Sequence, residues 1–285
     1  MLLDGHIHIE EGPVNSDHLQ KNLTLAGFAG GIVISLSPRC FGAHSHVYTS
    51  QERLDNLLAW TSPNPYLYPF YWIDPTEEDA AEQVDLAESQ GVRGYKVICC
   101  KHYPGDPRAM PIYHRIARAG KPILFHSGIL WDGQPSAKYN RPGEFEALLD
   151  VDHLKFSLAH ISWPWIDENI AVYGKFINAY SRRPGLSVEM FIDMTPGTPP
   201  IYRQEALTKL FRVGYDVENN LIFGVDSNTI HYNHEYARVW LQRDFAILDE
   251  LGVGDPVRNK VYGENLERFV SASSDRKHSR LVPGE

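Results

Sequence analysis

Two histidines, His6 and His8, stand one residue apart in the stretch LLDGHIHIE at residues 2–10. In an extended strand, residues i and i+2 share a face. Both imidazoles then point one way, and Ile7 and Ile9 the other. Two neutral imidazoles on one face can chelate a single cation; a strand end with two hydrogen-bonded histidines is the plainer alternative. Four further groups sit in short apolar contexts: Lys96 in GYKVI, His126 in ILFHSG, His160 in SLAHIS and Asp226 in IFGVDS. Taken singly, each has an ordinary role as a satisfied polar strand end, a surface lysine or, for Asp226, a helix cap. Brought to one place, such groups supply the nitrogen and oxygen ligands around an open position that a catalytic divalent metal requires.

Whether they meet depends on the elements that carry them. Eight short apolar runs recur along the chain, at 2–9, 31–36, 66–73, 92–100, 121–127, 155–161, 186–194 and 220–227. They are rich in β-branched and aromatic residues, as strands are. Amphipathic segments lie between several of them. Residues 76–91 open on Thr76 with Asp79 three positions on and stop at Gly91; residues 110–120 carry Pro111 early and Gly120 last. Residues 234–252 place Tyr236, Val239, Trp240, Phe245 and Leu248 near one helical face, as core rather than cofactor contacts. Eight strands at this spacing predict an α/β fold, a (β/α)8 TIM barrel in one domain over 1–270, with a frayed tail at 271–285. A doubly wound sheet would show a glycine-rich phosphate loop after its first strand, and EEGPVNSDH is not one. In a barrel, function collects at the C-terminal strand ends. His6, His8, Lys96, His126, His160 and Asp226 fall there, while the seventh run offers Glu189.

A net charge of −9 argues against nucleic acid as a partner, and no apolar run approaches the ~20 residues that span a bilayer. The N-terminus shows no signal-peptide pattern, which gives a cytoplasmic expectation and leaves the Asn22-Leu23-Thr24 acceptor triplet without meaning. Three cysteines, Cys40, Cys99 and Cys100, make no disulfide framework and read as small buried residues.

The order HxH on the first strand, His126 on the fifth, His160 on the sixth and Asp226 on the eighth resembles the amidohydrolase superfamily. The stretch from Gly91 to Gly128, with KFSLAHISWP, NLIFGVDSN and the closing VRNKVYGENLERFV (257–270), narrows the resemblance to the amidohydrolase family 2 branch of TIM-barrel metal-dependent hydrolases. Leu266 departs from that helix's usual alanine. The resemblance implies that His6, His8, His126 and Asp226 hold one divalent metal, zinc first, with manganese or iron as alternatives. It implies that Asp226 is also the proton acceptor for an activated water, and that His160 orients and polarises. In binuclear relatives a strand-four lysine is carboxylated and bridges two metals. One metal is favoured here, with Lys96 turned to the substrate.

Loops are expected to supply specificity through Arg39, Lys101, His102, Trp131 and Trp163, a mixture of cations and aromatics suited to a small anionic or cyclic substrate. His44 and His46 form a second HxH in a loop, with either a substrate contact or plain solvation open to them. The reaction expected is metal-dependent hydrolysis of an ester, lactone or amide. Non-oxidative decarboxylation in the same site is the alternative, and a non-catalytic barrel with a structural metal the third reading. The partner expected is a small-molecule substrate, with a homo-oligomer compatible.

Overall fold

The structure, a computed structural model, describes residues 1–41 and 46–271. Its strands are β1 (Leu2–His8), β2 (Phe28–Ile34), β3 (Leu67–Trp72), β4 (Gly94–Val97), β5 (Ile123–Phe125), β6 (Lys155–Leu158), β7 (Glu189–Asp193), β8 (Leu221–Ile222) and β9 (Ser227–Asn228). All pairings are parallel. Neighbours follow chain order from β1 to β8, and β9 lies on the other side of β1. β8 and β9 are two halves of one barrel strand: the first pairs with β7, the second with β1. Between them Gly5 N donates to Phe223 O at 2.9 Å. The sheet thereby closes as an eight-stranded (β/α)8 barrel, the fold expected from the eight apolar runs.

The helices are α1 (Ser16–Ala26), α2 (Ser50–Thr61), α3 (Ala80–Ser89), α4 (Met110–Arg118), α5 (Ile166–Arg182), α6 (Pro200–Arg212), α7 (His234–Glu250), α8 (Asp255–Asn259) and α9 (Asn265–Val270). Side-chain caps start three of them. Asn15 accepts from His18 N, Asn233 from Tyr236 N, and Thr49 with Glu52 forms a reciprocal capping box. Between β5 and β6 the connection consists of 3-10 turns instead of an α-helix. No helix among the described residues is long and apolar enough to cross a membrane.

Three local expectations need correction. α3 begins at Ala80 rather than Thr76, because the Thr76 hydroxyl donates to Asp74 Oδ1 at 2.7 Å in a turn of its own. The buried face of α7 is Ala237, Trp240, Leu241, Asp244, Ile247 and Leu248, while Tyr236 and Val239 are exposed. Cys99 is buried, but Cys40 and Cys100 are partly exposed.

Two apolar layers result. The larger lies between sheet and helices. The smaller fills the barrel: Leu3, Ile32, Phe70, Leu124, Phe191 and Ile222 meet Leu266, Phe269 and Val270 of α9. The closing segment therefore plugs the N-terminal end of the barrel, leaving the C-terminal end for a site.

Strand β1 is not regular. Its pairing with β2 shifts between Asp4 and Ile7, so Leu3 and then His6 and His8 face inward, while Ile7 and Ile9 pack outward. The buried Asp4 carboxylate fastens this bulge. Its Oδ1 accepts from His6 N at 3.1 Å and Val225 N at 2.8 Å, and its Oδ2 from the Tyr232 hydroxyl at 2.7 Å. Glycine is required around it: a Cβ on Gly31 would sit 1.9 Å from Asp4 O, and one on Gly5 2.7 Å from Phe223 O.

Burial raises the Asp4 carboxyl to about 7, against the pull of the Tyr232, Val225 and His6 donors. A carboxyl raised on folding stabilises below its unfolded value of about 4, and that contribution is lost as pH rises through about 7. Chemical denaturation of wild type and Asp4→Asn from pH 4.5 to 8 is expected to show wild type losing stability with rising pH relative to the variant. Equal slopes would remove Asp4 as the titrating group. Asp4→Ala, which leaves buried donors unpaired, is expected to cost about 1–3 kcal/mol for each unsatisfied group.

Candidate metal centre and pocket

His6 and His8 face inward from β1, and Lys96 from β4. His126 follows the end of β5, His160 follows β6 by two residues, and Asp226 lies in the gap between β8 and β9. All line one pocket of about 570 Å³ at the C-terminal end of the barrel. His6 Nε2 and His8 Nε2 are 3.1 Å apart, and each is 3.7 Å from Asp226 Oδ1. Ligand atoms of these three residues all lie within 4.8 Å of one another, the one such group among the described residues. Two imidazole nitrogens at roughly 2.05 Å from a tetrahedral zinc would stand about 3.3 Å apart, so the His6–His8 spacing fits a shared cation. His126 stands outside that tight group. Its ring lies 5.0 Å from that of His160, and its buried Nε2 has no hydrogen-bond partner.

His6 Nδ1 is 2.7 Å from Asp193 Oδ2. A carboxylate only accepts, so His6 is assigned the Nδ1–H tautomer, with the Nε2 lone pair turned to His8. Thr195 fixes Asp193 in turn: its backbone N–H donates to Asp193 Oδ1 at 2.6 Å, and its hydroxyl donates to the same oxygen. Asp193 is the functional neighbour that sequence reading missed. It closes β7, whereas Glu189 opens it, at the far end of the barrel, where it accepts from Arg268 Nη1 at 2.6 Å and Asn220 Nδ2 at 3.0 Å. The signal was available: Glu189 and Asp193 alternate onto one face, and only the later one can reach the C-terminal end.

Burial dominates the electrostatics. It drives His8 down to about 4 and also lowers His6, His126 and His160, so these imidazoles are neutral and keep a free lone pair. Lys96 is wholly buried, with Nζ 3.4 Å from His6 Nε2. Burial lowers it to about 8, with Asp193 and Asp226 pulling it back up. For Asp226, burial pushes up, and the basic neighbours His6, His160, His8 and Lys96 hold the carboxyl below its usual range; with the imidazoles neutral, Lys96 is the one of the four that carries charge at pH 7. The Asp226 side chain remains 32% exposed on the pocket floor, open to a ligand.

His160, Ile161 and Ser162 take consecutive positive φ angles of 63°, 48° and 55°. Left-handed backbone costs roughly 1–2 kcal/mol per non-glycine residue. The turn is over-determined by its surroundings: Trp163 N and the Thr198 hydroxyl donate to His160 O at 3.1 and 3.2 Å, and Asn169 Nδ2 donates to Ser162 Oγ at 2.5 Å. A Cβ on Gly197 would lie 2.7 Å from the His160 ring, so glycine is needed for the imidazole to sit there.

Of the loop residues, Trp131 and Trp163 line the pocket, with rings stacked at 6.5 Å and Trp131 80% exposed at the mouth. Arg39 and Lys101 are exposed and line no part of it. His102 is buried away from it, with Nδ1 3.9 Å from Asp74 Oδ1. His46 is exposed and packs edge-on against Tyr48; His44 lies outside the described residues, as does the tail beyond Ser271. Trp72, Phe41 and Ile98 form walls that sequence reading did not single out.

Asp193→Ala would leave the His6 Nδ1–H without its acceptor. Long-range nitrogen–proton correlation spectra are expected to show one His6 tautomer in wild type and a mixture in the variant. Metal affinity is expected to fall about 10–100-fold. An unchanged tautomer and affinity would strip Asp193 of this positioning role.

Residues 41–271 match the family model described as Amidohydrolase. Among solved structures, the barrel is similar to an uncharacterised TIM-barrel protein of Bordetella bronchiseptica, with a TM-score of 0.69, 17% identity, and 94% of this chain and 98% of that one covered. A probable 2-pyrone-4,6-dicarboxylic acid hydrolase of Acinetobacter baumannii gives 0.59 at 13% identity over 94% and 98% of the two chains. The 2,6-dihydroxybenzoate decarboxylase of Rhizobium gives 0.59 at 16% over 94% and 97%. No curated protein matches the sequence. At these identities the structural likenesses show the fold, and the family model supplies the rest: this chain belongs to the amidohydrolase family.

Proposed function

We propose that this protein is a metal-dependent hydrolase acting on an ester, lactone or amide bond of a small molecule. The observation that carries the proposal is the convergence of His6, His8 and Asp226 on the floor of an open pocket, with His126, His160 and Lys96 around them. His6, His8 and Asp226 would hold one divalent ion, with His126 Nε2 as the further donor. The chemistry of neutral nitrogens and a carboxylate suits zinc, with manganese or iron also accommodated. Once bound, the ion supplies Lewis acidity and an activated water. Asp226, held ionised and facing the pocket, takes the proton from the attacking water and returns it to the leaving group. His160 is placed to hydrogen-bond the oxygen on which negative charge develops. Lys96 provides a buried cationic donor for a carbonyl or single acidic group of the substrate.

The charge of the pocket bears on the substrate. Among the described residues its lining includes Glu10, Glu11 and Asp226, with Lys96 its one lysine or arginine. An ion held by Asp226 would bring positive charge to the floor, so the acidic field is left to Glu10 and Glu11, which suit a neutral or basic group better than a second carboxylate. The decarboxylase named among the similar structures keeps decarboxylation a concrete alternative, and isotope transfer separates it from hydrolysis. In labelled water, turnover of a panel of esters, lactones, amides and aromatic carboxylic acids is expected to place one solvent oxygen in the product of a hydrolysable member; CO2 release from an acid without that label would replace hydrolysis by decarboxylation.

Metal analysis is expected to give one ion per chain with Lys96 unmodified. A carboxylated Lys96 bridging two ions would point to the binuclear arrangement. Asp226→Asn keeps an oxygen ligand but removes the base, and turnover is expected to fall by about 10²–10⁴-fold. His160→Ala is expected to retain its metal and lose on the order of 10²-fold in kcat. Full activity in His160→Ala would take His160 out of the mechanism, and complete metal loss would make it a ligand.

A further inference from the structure

Glu10 is a pocket residue that the hydrolytic chemistry does not use. It lies two positions beyond His8, and the chain between is still extended, since Ile9 N donates to Ile34 O at 2.9 Å. The alternation that turns His6 and His8 inward therefore carries Glu10 to the same side, about 7 Å further toward the mouth. The side chain is half-buried and lines the pocket; Oε2 is shut off from the open space with no hydrogen-bond partner, which leaves Oε1 as the oxygen open to a ligand. The adjacent carboxylate is different: Glu11 is exposed and accepts from the Tyr48 hydroxyl at 2.8 Å. A carboxylate partly withdrawn from water with no protein donor is costly, and a ligand N–H in the pocket can supply one. The apolar part of the pocket lining, Ile9, Phe41, Ile98 and Leu130, has no side-chain donor to offer it.

We propose that Glu10 is a specificity residue that receives a protonated amine or another N–H donor of the substrate. The site then has two poles. The scissile carbonyl sits at the floor between Asp226, His160 and Lys96, the donor group sits at Glu10, and a flat apolar body spans the aromatic wall between them. The substrate class is a small aromatic or cyclic ester, lactone or amide that bears a basic nitrogen, not a polycarboxylate. The inference rests on the proposed hydrolase reading for the position of the scissile bond.

Two isosteric probes separate the ideas: 4-(aminomethyl)benzohydroxamic acid and 4-ethylbenzohydroxamic acid. Each carries a metal-chelating group at one end, and only the first carries an ammonium at the other. Their dissociation constants are measured calorimetrically on zinc-loaded wild type, Glu10→Gln and Glu10→Leu, with metal content checked in each. Wild type is expected to bind the amine roughly ten- to a hundredfold more tightly, the range for a charge-assisted hydrogen bond. Glu10→Gln is expected to keep a fraction of that preference and Glu10→Leu none, the preference being the ratio of the two probes' affinities within each protein. Equal affinity of wild type for both probes, or a preference that survives in Glu10→Leu, overturns the role of Glu10 and leaves the metal centre standing. Failure of both probes to bind any of the three proteins, or to require the metal, overturns the metal-site reading itself.

Discussion

One buried carboxylate holds together the two places where the barrel is irregular. Strict alternation from Leu3 would carry Ile7 and Ile9 into the barrel and turn His6 and His8 out toward the helices. The bulge between Asp4 and Ile7 reverses that phase, and the chain pays for the lost ladder bonds through Asp4. Asp4 gathers the N–H of His6 from its own strand, the N–H of Val225 from the broken eighth strand and the hydroxyl of Tyr232 beyond it. Bulge and break are thus one joint. It turns both histidines inward and brings Asp226 to within 3.7 Å of them. The glycines at 5 and 31 follow from the same joint, because their missing side chains make room for backbone from neighbouring strands.

The floor so formed is crowded with basic groups: imidazoles that burial keeps neutral, and Lys96, which burial lowers to about 8 yet leaves largely protonated at neutral pH. His6 carries two relationships at once: its Nδ1 proton goes to Asp193, and its Nε2 lone pair faces both His8 and Lys96 Nζ. A lysine ammonium and a second imidazole cannot both satisfy that lone pair. A divalent ion accepting from His6 and His8 would take it over and, being of like charge, would turn the Lys96 protons toward an oxygen in the pocket. Asp193 is the counterweight, for it adds negative charge behind His6 without taking a coordination position of its own.

Much of this was legible from residue type and spacing. The HxH pair, His126, His160, Lys96 and Asp226 each occur late in a short apolar run, and the barrel topology forces late residues of different strands to one end. What stayed hidden depends on register or on loop path. In VEMFID the acids at 189 and 193 share a face and the later one lies nearer the C-terminal end, but the pairing of Lys155 with Glu189 and Asp193 with Ile222 is what fixes the height of each along the barrel. Arg39, Lys101 and His102 follow strands in sequence yet stay off the pocket wall, because irregular segments have no period from which a direction can be read. The α7 face was misjudged for a related reason. Its aromatics suggested the stripe, but the small Ala237 and the charged Asp244, which pairs with buried Arg203, mark the side that packs.

The division between regular and strained backbone matches a division of labour. His8 is paired on both sides, with Ile34 and Asn228, while His6 lies in the bulge and is fixed by its N–H to Asp4 and its Nδ1 to Asp193, so the pair combines a ladder position with a hydrogen-bonded one. His160 and Asp226, the groups proposed to steer charge and protons, both sit on left-handed backbone just where their strands leave the ladder. A left-handed residue throws its side chain across the strand axis rather than alternating away from it, so an imidazole and a carboxylate from different strands can lean over the same point. The conformation persists only because the neighbours over-determine it: Thr198, Asn169 and Gly197 around His160, and Asp4 through Val225 on one side of Asp226 with the Thr229-to-His8 bond on the other. Both groups proposed to act on the substrate thus stand on left-handed backbone at the pocket, and the one paired histidine of the chelating pair is His8.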